Sequence, residues 1–263
     1  MTDKILKFYE ECKLYMDLQN NSLPNLNLIL EDNDIIDSLA HINSDEVTLE
    51  NANLYYCTKL FEYSEQFQKA KLFHEFTHIL DFINLSNQYK DEDLDKILNT
   101  YSEYHVSQIE LACNVGFRSI HAFHKINLDK TYVATDVGKS KIENDYLKPM
   151  ADALVIIEKP FDTYLNLSCE EYFCCFKKFE TNTMYYLGKQ NFCSTFSLKR
   201  IPSITRKSYG DFYSCISNIE NCIKNKEIDK LPLLEKSLLE KFYEKYPNKD
   251  FELLIKEFPN KYI

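Results

Sequence analysis

Residues 71–82 read Lys-Leu-Phe-His-Glu-Phe-Thr-His-Ile-Leu-Asp-Phe, and this stretch limits what the chain can fold into. In an α-helix, His74 and His78 project from one face about one turn apart, close enough to share a tetrahedral metal ion. Glu75 lies on the flank of that face, where its carboxylate can take a proton from water at the metal instead of binding the metal itself. The motif therefore predicts a zinc site of the kind that hydrolases use.

The surroundings of the motif also favour a helix. Apolar residues recur at helical spacing and form a stripe that can pack on a core, while the histidines lie towards its edge. Ser64 followed by Glu65 predicts the start of the helix, and residues 84–87 predict its end. The alternative is that both histidines are ordinary core-edge residues of an amphipathic helix. The stripe comprises Leu72, Phe73, Phe76, Ile79, Leu80 and Ile83.

Composition favours an α+β protein that is predominantly helical. The 263 residues are 44% hydrophobic, enough to bury a core in one large domain or two small ones. Only 4 Gly and 7 Pro are present, too few to separate many short strands. Residues 136–141 combine Gly138 with small and charged residues. We therefore predict one domain over residues 1–135 and a helical domain or extension over residues 136–263.

Charge and hydropathy argue against two classes of partner, nucleic acids and membranes. The chain has 31 basic and 41 acidic residues, a formal charge of −10, so direct binding to a phosphate backbone is not expected. The first residues contain no apolar signal core and nothing later approaches a membrane span, so we expect a cytoplasmic protein without a membrane partner. The nine cysteines form neither a Cys-x-x-Cys pair nor a disulfide framework, and we interpret them as reduced, small buried residues.

Periodicity predicts several elements ahead of the motif. We expect a helix over residues 3–17, a short strand over 26–30, a short helix over 34–41, and two strands over 47–49 and 54–58 that are joined by a turn. A strand just before the motif helix can run along a cleft and offer unpaired backbone groups to an extended peptide.

The chain after the motif is expected to be helical. A second strong helix should run from about residue 94 or 100 to 114, with Gly116 as its C-terminal cap. A break is expected near residues 129–138. Further helices are predicted over residues 145–157, 168–179, 212–225 and 233–246.

Two histidines hold zinc weakly, so a catalytic site needs a third protein ligand and an open position for water. Glu103 is our choice, because a hairpin of two helices could return its carboxylate to the metal. Glu110 lies one helical repeat further along the same face and is the reserve ligand. Asp81 shares the rigid helix of His78, so we expect it beside the ligands or at the helix end instead of on the metal.

A resemblance to a known group rests on two motifs, His74-Glu75-Phe76-Thr77-His78 and Glu103-Tyr104-His105-Val106-Ser107. The pair resembles the zincin metallopeptidases whose third ligand is a glutamate on a following helix, and it is similar to the phage and mobile-element proteins related to ImmA and IrrE. This resemblance covers roughly residues 47–114. It implies a zincin-like core of the motif helix, the glutamate helix and a small sheet, with a helical C-terminal part beyond it. It also implies one Zn²⁺ ion and peptide-bond cleavage in a protein substrate, such as a transcriptional repressor or another regulatory protein.

Two points stay open at the level of sequence. Tyr101, Tyr104 and His105 are close enough to the presumed ligand to stabilise an oxyanion, but no spacing rule selects one. The function could instead be non-catalytic, with zinc fixing the helix pair of an interaction or regulatory protein of phage or mobile-element origin. The fourth metal position separates these hypotheses, since a structural site fills it with a side chain and a catalytic site leaves it to water. A third hypothesis is a regulatory factor whose C-terminal half presents one protein to the site.

Overall fold

The fold is mainly helical with two small sheets, which confirms the predicted α+β class. The computed structural model describes residues 1–17, 23–32, 38–89, 91–122, 124–160, 162–201, 204 and 206–251. No helix in these ranges is both long and apolar enough to cross a membrane. All nine cysteines are free thiols, but Cys174 is exposed, so the expectation that the cysteines are buried is wrong for this residue.

The elements are numbered in chain order. The α-helices of the described residues are α1 Thr2–Tyr15, α2 Glu65–Ser86, α3 Asp91–Ile97, α4 Glu103–Asn114, α5 Ile142–Ile157, α6 Asp162–Leu165, α7 Cys169–Phe196, α8 Arg206–Tyr209, α9 Tyr213–Lys224 and α10 Leu231–Lys245. The strands are β1 Asn25–Leu30, β2 Ala40–Ile42, β3 Asn51–Tyr56, β4 Tyr132–Thr135 and β5 Gly138–Lys141.

Strands β1, β3 and β2 form a sheet in that order, with β1 parallel and β2 antiparallel to β3. The predicted strand over residues 47–49 is wrong, whereas residues 54–56 of the second predicted strand do lie in β3 of this small sheet. Thr48 explains the difference. Its hydroxyl accepts the N–H of Asn51 at 2.9 Å and its own N–H donates to Asn51 O at 2.8 Å, which makes a tight turn where a strand was expected. The predicted helix over residues 34–41 lies partly outside the described residues, and its last residue, His41, belongs to strand β2 instead.

Helix α2 matches the prediction at both ends. Ser64 caps it by accepting the N–H of Phe67 at 3.3 Å. The apolar stripe is buried except for Ile83, which is partly buried, and it packs the helix against α1 and α4. Strand β2 borders the helix as well. The strand that runs beside the motif is therefore β2, at the edge of the sheet, and not the predicted strand over residues 54–58.

The second predicted helix is interrupted by a π-helical turn. Helix α3 ends at Ile97, the turn covers Leu98–Ser102, and α4 begins at Glu103. Such turns are frequent at functional sites, and this one contacts α2. After α4, Gly116 has a φ of +89°, and Phe117 donates its N–H to Ala112 O at 3.1 Å. The predicted C-terminal cap is confirmed.

Helix α7 is longer than predicted. Instead of ending near residue 179 it continues to Phe196, because polar residues after Phe179 hide the apolar period without ending the helix. Thr183 shows how a polar residue fits inside the helix: its hydroxyl donates to the carbonyl oxygen of Phe179, one turn earlier, at 2.7 Å.

Gly188 brings α7 close to α4. A Cβ atom at this position would overlap the carbonyl of Tyr104 and the side chain of Ser107, so only glycine permits this approach. Helix α7 also packs against α5. Residues beyond 136 therefore lie directly against the helix that begins at Glu103, and the division of the chain at residue 136 stays a prediction.

Strands β4 and β5 form an antiparallel hairpin, where the sequence predicted only a break. Gly138 begins the second strand with a φ of +123°. Asn114 fastens the hairpin to the end of α4. Its side-chain amide donates to Ala134 O at 2.9 Å and accepts the Ala134 N–H at 3.0 Å.

A buried ion cluster joins α7 to α10. Lys177 donates to Glu180 at 2.9 Å and to Glu235 at 2.6 Å, and the two carboxylate side chains are only 0% and 8% exposed. Burial and then repulsion by Glu180 raise the pKa of Glu235 to about 8, although Lys177 and Lys96 oppose the shift. Burial raises the pKa of Glu180 as well. One ammonium group does not fully balance two buried carboxylates.

We expect Glu235→Gln to stabilise the fold increasingly as the pH rises from 4.5 to about 8. In this window the folded wild type binds a proton that the unfolded chain has released, so its unfolding free energy falls as the pH rises, and the substitution removes that contribution. Urea unfolding at several pH values measures the difference. Glu240→Gln, at an exposed position of α10, is the control. A difference between Glu235→Gln and wild type that is independent of pH would contradict the prediction.

Candidate metal centre

His74 and His78 face each other through their Nε2 atoms. Their Nε2 atoms are 3.1 Å apart, and the ring centroids are 4.8 Å apart. Both residues lie on the face of α2 that borders a cleft of about 910 Å³. The side chain of His74 is 8% exposed and that of His78 is 23% exposed, so the pair lies at the bottom of the cleft and is not sealed in the core.

Glu103 completes a group of three donors. Its Oε1 lies 3.6 Å from His78 Nε2, and one donor atom from each of His74, His78 and Glu103 lies within 4.8 Å of the others. A tetrahedral zinc site with bond lengths of about 2.0–2.1 Å separates its ligand atoms by about 3.3 Å. The separations of 3.1 and 3.6 Å are close to that value, and all three donor atoms lie within 4.8 Å of one another, so this group could hold a metal ion.

A chain of hydrogen bonds fixes the protonation of His78. Ser102, in the π-helical turn, donates its hydroxyl to Asp81 Oδ2 at 2.8 Å. The Ser102 oxygen lies 2.8 Å from His78 Nδ1 and is left as an acceptor, so the histidine carries its hydrogen on Nδ1. Asp81 thus acts on His78 through Ser102. The Nε2 atom of His78 is an acceptor and faces the metal position.

Glu110 fixes the protonation of His74 in the same way. Its Oε2 lies 3.2 Å from His74 Nδ1 and can only accept, and the Tyr185 hydroxyl, which donates to Glu110, lies 2.6 Å from the same nitrogen, so we assign the hydrogen of His74 to Nδ1. Burial, opposed by Glu110, lowers the pKa of His74, and burial lowers that of His78 well below its usual range, so both rings are neutral. Two acceptor nitrogens therefore face each other at 3.1 Å, next to the carboxylate of Glu103. Such a group is stabilised by a cation between its members.

Glu75 lies beside the ligands without joining them. Its Oε2 accepts the N–H of Ile42 in β2 at 3.1 Å, and its Oε1 is 3.7 Å from His74 Nε2. The carboxylate is thus held at the edge of the site by the sheet. Burial and then the charge of Glu103 raise the pKa of Glu75 well above its usual range.

The centre carries more negative charge than its surroundings balance. Burial, followed by the charges of Glu110 and Glu180, raises the pKa of Glu103 to about 8. Carboxylates in a buried site resist ionisation until a positive charge is supplied nearby, and a divalent cation would supply it. This agrees with the ligand geometry.

The reserve ligand Glu110 is not in the three-donor group. Its Oε1 accepts from Lys71 at 2.9 Å and lies 3.6 Å from the ammonium of Lys189. Burial alone would raise the pKa of Glu110, but the two lysines outweigh burial and hold it well below the usual range. The structure therefore gives Glu110 a position behind His74, on the Nδ1 side of the ring.

The three predicted oxyanion donors do not line the cleft. Tyr104 is buried and its hydroxyl has no hydrogen-bond partner in the described part of the chain. Tyr101 packs its ring against that of His105. His105 bonds Asp81 Oδ1 at 2.9 Å; burial would lower the pKa of His105, but Asp81 outweighs burial and raises it.

Tyr185, which the sequence analysis did not select, lies directly beside His74. It comes from α7, and its hydroxyl lies 2.6 Å from His74 Nδ1, 3.0 Å from His74 Nε2 and 3.2 Å from Glu110 Oε2. Burial, then the charges of Glu110, Glu103 and Glu75, raises the pKa of Tyr185 well above its usual range, so the hydroxyl stays protonated as a donor. No sequence signal marked it, because it is 111 residues from His74 and lies in the part of α7 that was not predicted as helix.

No protein-family model, curated protein or solved structure matches this chain. The resemblance in the two motifs therefore stays a prediction, and the function has to be argued from the geometry of the site.

Proposed function

We propose that this protein is a zinc-dependent metallopeptidase that hydrolyses a peptide bond in a protein substrate. The observation that carries the proposal is the pair of acceptor nitrogens of His74 and His78, which face each other beside Glu103 with Glu75 at their edge. Two imidazoles and one carboxylate are a common ligand set of catalytic zinc. Zinc is favoured because neutral imidazole nitrogens suit it better than they suit Mg²⁺ or Ca²⁺.

An open coordination position supports catalysis over a structural role. A structural zinc site takes four protein ligands, whereas the donor group found among the described residues has three members. All three donors line the cleft, so a substrate would have access to an ion that they hold. Glu75 lies beside the donor group without joining it, which is the position that a general base needs.

Glu75 is the proposed general base. A zinc ion held by His74, His78 and Glu103 would supply Lewis acidity to water and to the scissile carbonyl. Glu75 then accepts a proton from the attacking water as the new C–O bond forms. The same carboxyl group delivers that proton to the leaving nitrogen as the C–N bond breaks. The N–H of Ile42 keeps the carboxylate in place during both transfers.

Tyr185 is the proposed donor to the oxyanion. Its hydroxyl lies 3.0 Å from His74 Nε2 and donates to Glu110 Oε2, and its raised pKa keeps the proton on it. As negative charge develops on the carbonyl oxygen of the substrate, the O–H turns from Glu110 to that oxygen and stabilises it. This role goes to Tyr185 and not to Tyr101, Tyr104 or His105, which do not line the cleft.

Strand β2 offers a place for the substrate backbone. Ile42 directs its N–H away from β3, to Glu75, so alternate backbone groups of β2 face the cleft. An extended peptide would pair with the outward groups of this edge that Glu75 and Ser38 do not already engage, and side-chain specificity would come from the cleft walls. The motif resemblance makes a repressor or another regulatory protein the first substrate class to test.

We expect Glu75→Gln to keep zinc and lose cleavage by about 10²–10⁴-fold, because the amide cannot accept the proton from water. Mass spectrometry of an unmodified peptide library, incubated with each protein, measures turnover, and elemental analysis measures zinc. Glu65→Gln, at an exposed position in the first turn of α2, is the matched control. Equal turnover by Glu75→Gln and wild type would exclude Glu75 as the base.

Tyr185→Phe is expected to lower kcat by about 10²–10³-fold with little change in KM, since the donor acts on charge that forms only in the transition state. Zinc affinity should change little because His74 keeps its contact with Glu110. Steady-state kinetics on the best peptide from the library separates the two constants. A change confined to KM would argue that Tyr185 binds substrate and does not stabilise the oxyanion.

A further inference from the structure

The carboxylate of Glu110, in α4, contacts side chains from helices α2 and α7. Its two oxygens have different partners: Oε1 contacts two lysines, whereas Oε2 contacts His74 and Tyr185. Lys71 comes from α2, and Lys189 comes from α7. This carboxylate is therefore held on one side by positive charge and holds a proposed metal ligand on the other.

The two lysines differ in their surroundings. Lys189 is buried, with a side chain 5% exposed, and it also donates to Asp145 of α5 at 2.9 Å. The side chain of Lys71 is 33% exposed and lies at the cleft wall. A buried lysine between two carboxylates has little freedom to move, so Lys189 fixes the direction of Glu110 from the side of α5 and α7.

We propose that Lys71 and Lys189 are positioning residues for the metal ligand His74, and that they act through Glu110. By holding Oε1 they turn Oε2 towards His74 Nδ1, which orients the ring so that Nε2 meets the ion. The inference rests on the proposed function, since it needs a metal at His74. It makes the helices beyond residue 136 part of the metal centre.

Zinc affinity is the readout, measured by competition with a chromophoric chelator. Lys189→Met and Glu110→Gln should each weaken zinc binding by about 10–100-fold, the usual effect of losing a partner behind a ligand. The double variant should bind zinc no more weakly than Glu110→Gln alone, because Lys189 acts through Glu110. Lys178→Met, at an exposed position of the same helix, should match wild type.

Lys71→Met provides a second route if Lys189→Met does not fold, as judged by circular dichroism. Lys71 is partly exposed, so its replacement should leave the fold intact and still weaken zinc binding, and Lys71→Arg should restore the affinity. The inference is overturned if Lys71→Met or a folded Lys189→Met binds zinc as tightly as wild type. It is also overturned if the losses of Lys189→Met and Glu110→Gln multiply in the double variant.

The same experiment separates this inference from the proposed function. Zinc binding is measured without substrate, so a wild-type protein that binds zinc and cleaves nothing contradicts the peptidase and still allows the lysines to be tested. A wild-type protein that binds no zinc overturns both.

Discussion

The Nε2 atoms of two histidines face each other at 3.1 Å in this protein, next to a carboxylate, and the hydrogen bonds on the Nδ1 side of each ring assign both Nε2 atoms as acceptors. The hydrogen bonds around the two rings keep both Nε2 atoms as acceptors. Ser102, whose hydroxyl donates to Asp81, accepts the Nδ1 hydrogen of His78. Glu110 accepts the Nδ1 hydrogen of His74. The lone pairs of the two Nε2 atoms repel each other at this distance, and a metal ion that both atoms bound would remove the repulsion. The peptidase proposal follows from that arrangement together with Glu75.

Several parts of the fold converge to build this arrangement. Helix α2 supplies both histidines and Glu75, and the π-helical turn before α4 sets Ser102 and Glu103 against it. Strand β2 holds Glu75 through a single backbone N–H. The long helix α7, brought close by Gly188, adds Tyr185 and Lys189 from the other wall of the cleft. A site assembled from this many elements needs the whole fold to keep its geometry, which fits the preorganisation that catalysis requires.

The local part of this site could be predicted from sequence, and the distant part could not. A spacing of four residues on a helix fixes the relation of His74 to His78, and a hairpin of helices was enough to choose Glu103 over Glu110. Tyr185 and Lys189 carry no such signal, because their positions depend on how α7 packs on α4. The turn at Thr48 and the hairpin β4–β5 were missed for another reason: side-chain bonds to the backbone, as at Asn114, decide them where periodicity is weak.

The most direct test of the account is the zinc content of the purified protein compared with that of a His78→Ala variant prepared in the same way. Elemental analysis should find one zinc ion per wild-type chain and a large loss in the variant, because two of the three donors hold zinc weakly. If both proteins carry the same trace of zinc, His74, His78 and Glu103 do not form a metal centre and the account fails.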